Sequence, residues 1–325
     1  MSAYDLENVY WFPFSDEPLI KGGLLTPKLC DPCFLFPEQA PDNRWHLFAH
    51  SLFFIHHFIS TSGIKWTQKR PIVLRGHSPF IYKEESTYIM LYEKHDVRLL
   101  PRSISAQDDV KKSQKGFSRF EMIMSTDLYH WSPPQTILEC QTISKAYDSL
   151  KLPRISRPQL FKTSEGYRMF FGASHILLDD TGQKVSRHFC TALSSSLDGP
   201  YTPSSEPALL SPDSLDKYRN LAAGSMKVIQ CNDGFYGLEC PIFWDGNKRR
   251  SSSAMVLMKS YDGISWSQAC PKPILTTASQ GWTQSYIMSA DAHYKSSERC
   301  WYCYYSANGG NRRESIGLLL GEERR

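Results

Sequence analysis

The feature that most constrains this chain is a unit that recurs five times. Each copy is a short apolar strand, a polar hairpin and an aromatic strand. The copies are DPCFLF with WHLFAH, SPFIY with YIMLYE, RPQLF with YRMFFGAS, SMKVI with FYGLEC, and ADAHY with WYCYYSAN. Turn residues stand between the strands at Pro41–Asn43, Glu84–Ser86, Ser164–Gly166 and Asn232–Gly234. A second motif follows four of the copies: STSGIKW ending at Trp66, STDLYHW at Trp131, SSLDGPY at Tyr201 and SYDGISW at Trp266. Each closes a β-type run (FFIHHFI, FEMIM, FCTAL, AMVLM) with a polar turn whose aromatic folds back onto the sheet. The motifs lie roughly 65 to 70 residues apart, somewhat above the ~40–50 of the shorter propeller repeats.

A two-sheet sandwich offers similar strand numbers but has no reason to repeat itself. The expected fold is therefore all-β: a five-bladed β-propeller with about four antiparallel strands per blade. It fills one domain, 1–325, with blades near 25–70, 71–140, 150–205, 218–270 and 280–325 and an N-terminal strand closing the ring. The polar stretches Asp108–Lys115 and Lys145–Leu152 read as insertions between strands, placed to lie over a binding face.

Composition agrees with this class. Aromatics make up 13% of the chain, too many for a disordered one and suited to half-buried sheets. A net charge of +4, with no concentrated basic patch, argues against a nucleic-acid partner. No apolar run approaches the roughly 20 residues of a membrane helix. The first residues, with Asp5 and Glu7, lack a basic-then-apolar leader pattern, so the expected location is the cytoplasm, with export by a route lacking a cleavable signal left open. Nine cysteines, an odd number, then read as reduced thiols. The pairs Cys30/Cys33 and Cys300/Cys303 have zinc-like spacing, but residues three apart on a strand face opposite sides, so no metal site is expected there.

In a propeller the innermost strands run the same way, so their starts meet at one mouth, where the second strands end. Strand starts are Asp31, His77–Ser78, Ser156–Arg157, Gly224–Ser225 and Asp291; strand ends are His50, Glu93, Ser174–His175, Glu239 and Ser306–Asn308. Most are polar and several are ionisable. His56 and His57, on an outer strand, read as structural.

This arrangement resembles the five-bladed-propeller glycoside hydrolases of families 43, 32 and 130 and their relatives. The resemblance rests on Asp31-Pro32 opening the first blade, the turns Ser125–Trp131 and Ser260–Trp266, and the five strand-hairpin-strand units. It implies a carbohydrate substrate, a first-blade aspartate as base or nucleophile, a glutamate as acid and a further aspartate that tunes the acid. Asp31 matches the first role. The second blade instead opens Gly76-His77-Ser78-Pro79 and the third Ser156-Arg157-Pro158, while Glu239-Cys240-Pro241 stands in the fourth.

Glycoside cleavage needs one protonated and one ionised carboxyl across the anomeric carbon. The candidate catalytic residues are Asp31, Glu93, Glu239 and Asp291, with His50, His77, Arg157 and His175 as substrate contacts. Glu93 ends an apolar strand, a setting expected to favour its neutral form. Arg75, His77, Arg154 and Arg157 would form the basic cluster of a phosphorylase, the first alternative; a non-catalytic carbohydrate- or protein-binding propeller is the second. No cofactor is required, though a polar channel has room for an ion such as calcium.

Overall fold

The computed structural model describes residues 6–23, 27–95, 118–140, 154–204, 208–309 and 313–323. The two expected insertions, 108–115 and 145–152, lie outside the described residues.

Five antiparallel sheets form a five-bladed β-propeller. Strand β1 (Val9–Pro13) belongs to the last blade. Blade one holds β2 (Cys30–Leu35), β3 (Trp45–His50), β4 (Phe54–Ser60), β5 (Thr67–Gln68) and β6 (Val73–Leu74). Blade two holds β7 (Gly76–Glu84), β8 (Thr87–His95), β9 (Ser118–Ser125) and β10 (Gln135–Glu139). Blade three holds β11 (Ile155–Thr163), β12 (Gly166–Leu177), β13 (Lys184–Ser194) and β14 (Thr202–Pro203). Blade four holds β15 (Ala222–Cys231), β16 (Gly234–Asp245), β17 (Arg250–Ser260), β18 (Ser267–Gln268) and β19 (Leu275–Thr276). Blade five runs β20 (Tyr286–Lys295), β21 (Cys300–Asn308) and β22 (Glu314–Glu323), and β1 completes it by pairing with β22, Val9 opposite Glu323. The ring thus closes through strands from both ends of the chain, which covers edges an open sheet would expose.

Alternation along each strand sends side chains into two different cores, one on each side of the blade. Cys33, Phe48 and Ile55 meet Ile81, Met90 and Tyr92 between blades one and two. Phe34 and Leu47, one residue out of phase, meet Tyr304 and Leu318 between blades one and five. Phe80, Leu91 and Phe120 pack on Met169 and Phe171 between blades two and three. Phe170 and Phe189 pack on Val228 and Val256, and Leu238 and Leu257 pack on Tyr305 and Leu319. Each blade therefore buries both faces, which explains strands such as β2 that are buried throughout.

The aromatic-closed turns behave as their composition dictates. The hydroxyls of Ser60, Ser125 and Ser260 accept backbone N–H bonds from Gly63, Leu128 and Gly263. Those three residues have φ of 72°, 67° and 73°. Leu128 accepts the left-handed backbone because its side chain is fully buried between blades one and two.

Gly224 has φ 68°, and a Cβ there would lie 2.1 Å from the Cys240 carbonyl oxygen. Gly224→Ala is expected to cost more than about 3 kcal/mol in urea unfolding, because backbone would have to move. Gly246→Ala, with nothing within 4 Å, is expected to change stability by less than about 0.5 kcal/mol. Equal effects of the two would contradict this packing.

Candidate functional site

Every inner strand carries a bulge just inside its start. Register slips between Cys30 and Cys33, His77 and Phe80, Ser156 and Gln159, Ala222 and Ser225, and Ile287 and Ser289. In the first three blades the bulge opens with Asp31, Ser78 and Arg157, at φ 49°, 51° and 55°. A proline follows each, where the broken ladder needs no N–H. Left-handed backbone at three non-glycine residues costs on the order of 1–3 kcal/mol each and is held only by its surroundings. These three side chains meet across the axis. The Ser78 hydroxyl donates to Asp31 Oδ2 at 2.5 Å, and Arg157 Nε donates to Oδ1 at 3.2 Å. His50 Nδ1 lies 3.6 Å from Oδ2 and accepts the Ser78 N–H at 3.1 Å.

Burial alone would raise the Asp31 pKa, but Arg157, His50 and the Ser78 hydroxyl outweigh it and hold the carboxyl down at about 2. Burial pushes His50 down to about 3 and His77 to about 4, and it depresses His175 strongly. The three imidazoles are neutral near pH 7.

Asp31, Glu93, His50, His77, Arg157 and His175 line one cavity of about 340 Å³ at the mouth, with Arg154, Lys28, Lys184 and Glu314. Six of the eight candidate residues are thus brought together. Glu93 departs from expectation in its charge. Burial does favour its neutral form, but Arg154 and His95 overcome it and hold the carboxyl well below the usual range. Arg154 donates through Nε at 2.6 Å and Nη2 at 3.2 Å, and His95 Nε2 lies 2.8 Å away. The apolar strand YIMLYE misled because its wall is capped by a guanidinium from the next blade.

Glu239 and Asp291 do not line this cavity. Glu239 sits opposite Met226 and Val256, on the face that packs blade three against blade four. The bulge, at Ala222–Ser225, lies on the mouth side of it. Burial raises its pKa to about 7, partly offset by Arg219, whose Nη1 donates to Oε2 at 3.0 Å. Asp291 is displaced because β20 starts at Tyr286 and bulges at Ile287–Ser289, which leaves Asp291 deeper in the channel. There it pairs with Lys227 Nζ at 2.5 Å and accepts the Phe34 N–H at 2.8 Å. Burial would raise its pKa, but Lys227 and His293 lower it.

The basic cluster comes together in part: Arg154, Arg157 and His77 line the mouth, and Arg75 does not. His56 and His57 are buried on β4, bonded to Ser51 and His46. Cys30 and Glu314 were not legible in the sequence. The Cys30 thiol donates to Glu314, whose other oxygen pairs with Lys28 at 3.1 Å. Glu314 opens β22, a third strand that falls outside the repeated unit. No helix among the described residues is long and apolar enough to cross a membrane.

No protein-family model and no curated protein matches the chain in sequence. Solved structures do match in three dimensions. A family 117 glycoside hydrolase from Zobellia galactanivorans superposes with TM-score 0.59 at 11% identity, over 98% of this chain and 92% of that one. The chain has the five-bladed propeller fold of such enzymes. An α-L-arabinofuranosidase from Lactobacillus brevis gives 0.59 at 11%, covering 94% and 92%. An N-acetylgalactosamine deacetylase from F. plautii, solved with blood group B trisaccharide, gives 0.62 at 13%, covering 97% and 95%. One architecture therefore carries different reactions, and the site has to choose between them.

The neutral histidines give a stability test. Unfolded histidine titrates near 6.5, so between pH 6.5 and 4 the unfolded chain binds more protons than the folded one, and stability rises with pH. Glu239 works the other way: its folded pKa is raised, so its contribution falls as pH rises from about 4.5 through 7. Thermal midpoints are expected to drop as pH falls from 6.5 to 4, and Glu239→Gln is expected to steepen that dependence. A midpoint that is flat or rises on acidification in Glu239→Gln would contradict these assignments.

Proposed function

We propose that the mouth cavity binds the end of a small carbohydrate or oligosaccharide and hydrolyses its terminal glycosidic bond. The observation that carries this reading is Asp31: buried, ionised, and set at the axis of a cavity whose size falls in the ~300–1,000 Å³ range of small-ligand sites. An ionised carboxylate there serves as the base that removes a proton from water, or as the nucleophile, at the anomeric carbon. Ser78 and Arg157 hold its two oxygens in place, and the neutral imidazoles of His77 and His175 offer hydrogen bonds to sugar hydroxyls.

The acid role falls to Glu93, the other candidate carboxyl lining the wall. To act as the acid it must be released from Arg154 and His95, which hold it ionised; without them burial favours the protonated form. Glu239 has the raised pKa of an acid but faces the core between blades three and four.

A second reading, phosphorolysis, has one specific observation in its favour. Arg157 stands at the third blade's axial bulge, and Arg154, Lys28 and Lys184 line the same cavity, a set suited to an oxyanion.

A screen of aryl glycosides, run with and without inorganic phosphate, separates the readings. Phosphate-independent release of the aryl group is expected, falling at least about 10³-fold in Asp31→Asn, as loss of a reacting carboxylate requires. Strict dependence on phosphate would select phosphorolysis. No turnover of any glycoside, with sugar affinity unchanged in Asp31→Asn and Glu93→Gln, would leave a binding propeller.

A further inference from the structure

Three metal-ligating side chains stand in register at the cavity, two of them, His77 and Glu93, on its wall. His77 and Glu93 are directly opposite on β7 and β8, and His95 lies two residues beyond Glu93 on the same face. One ligand atom from each lies within 4.8 Å of the others. The rings of His77 and His95 are 5.0 Å apart.

The contact between His95 and Glu93 has an unusual form. His95 Nε2 is 2.8 Å from Glu93 Oε1, yet this nitrogen is buried and takes no hydrogen bond of ordinary geometry. The two ligand atoms thus already stand side by side. His77 has no hydrogen-bond partner among the described residues and faces the cavity. Across the same cavity His175, 6% exposed, leaves Nδ1 buried and without a partner. Ordinary packing satisfies buried ring nitrogens, so an orphan on a residue lining the cavity and another beside Glu93 call for a ligand.

We propose that His77, Glu93 and His95 form a site for a divalent transition-metal ion of the zinc class, with its open positions turned into the mouth cavity. Two imidazoles and one carboxylate are a ligand set known for zinc sites that keep a place for water or substrate. Ligand atoms on an ion at about 2.0–2.1 Å are about 3.3 Å apart, so the widest pair closes by about 1.5 Å on binding, within reach of side-chain rotation. Arg154 donates to both Glu93 oxygens, and a carboxylate with about four acceptor sites has room for an ion as well. The guanidinium charge opposes the ion, and Glu93 and Asp31 offset it. The site does not depend on the hydrolytic reading. An ion there would bind a sugar hydroxyl or a water beside Asp31 in either case.

The test is titration of the metal-stripped full chain with Co²⁺ and Zn²⁺. One saturable equivalent is expected, with weak visible cobalt bands and no thiolate charge-transfer band. His77→Ala and His95→Ala are each expected to weaken Zn²⁺ binding at least about 100-fold, more than loss of an outer partner costs. His130→Ala, at an exposed turn, is expected to leave it unchanged. Electron paramagnetic resonance of Cu²⁺ on the unsubstituted chain is expected to show nitrogen coupling from two imidazoles, which keeps the test open if a variant fails to fold. Absence of a saturable equivalent, unchanged affinity in both histidine variants, or a thiolate signature would overturn the proposal. These binding readouts stand apart from turnover, so they are unaffected if glycoside cleavage is not found.

Discussion

The contact between Asp31 and Arg157 is the interaction on which the site depends. It joins bulges of the first and third blades across the axis, 126 positions apart in sequence. A buried carboxylate without a cation would protonate, and a buried guanidinium without an anion would be costly to desolvate. Each therefore justifies the other's place on a left-handed backbone that neither residue type prefers. Ser78, in the same bulge of the second blade, supplies the hydroxyl that completes the ring. The inner strands fix this geometry because all five pack both faces and cannot slip by one residue without exchanging their cores.

Most of the architecture is legible in the sequence because a propeller repeats. Alternation in DPCFLF and WHLFAH, the hairpin residues between them and the Ser-to-Trp turns each state the same local structure, and consistency across levels is what specifies a fold. What the repeat does not specify is depth along the channel. In the sequence Asp291 matches Asp31, each near the start of an apolar run, but β20 begins earlier, at Tyr286. Glu239 stands near the end of FYGLEC, yet it lies at a register that other blades fill with Leu47, Met90 and Met169. A one-residue difference decides which face a side chain takes, and a sequence pattern is too coarse to resolve it. Charge state is a second limit. YIMLYE announces a hydrophobic wall, while Arg154, 61 residues on, reverses its effect on Glu93.

The site differs in kind from a simple pair of facing carboxyls. Asp31 and Glu93 are each paired with an arginine and Glu314 with Lys28, and three neutral imidazoles stand among them. Such a cup offers donors, acceptors and ionised carboxylates at once. The fold brings these groups together at the bulges of the inner strands. Arg157 and Ser78 at two of those positions make this cup more basic than one carrying a carboxylate on each.

The most direct measurement of this account is the ¹³C carboxyl titration of Asp31 in the folded chain, with and without Arg157. The account predicts a midpoint near 2 in the unsubstituted protein and a rise above the ordinary aspartate value in Arg157→Met, where burial is left less opposed. A midpoint that stays where it was after removal of Arg157 would contradict the pairing across the axis, and with it the shared cup at the mouth of the propeller.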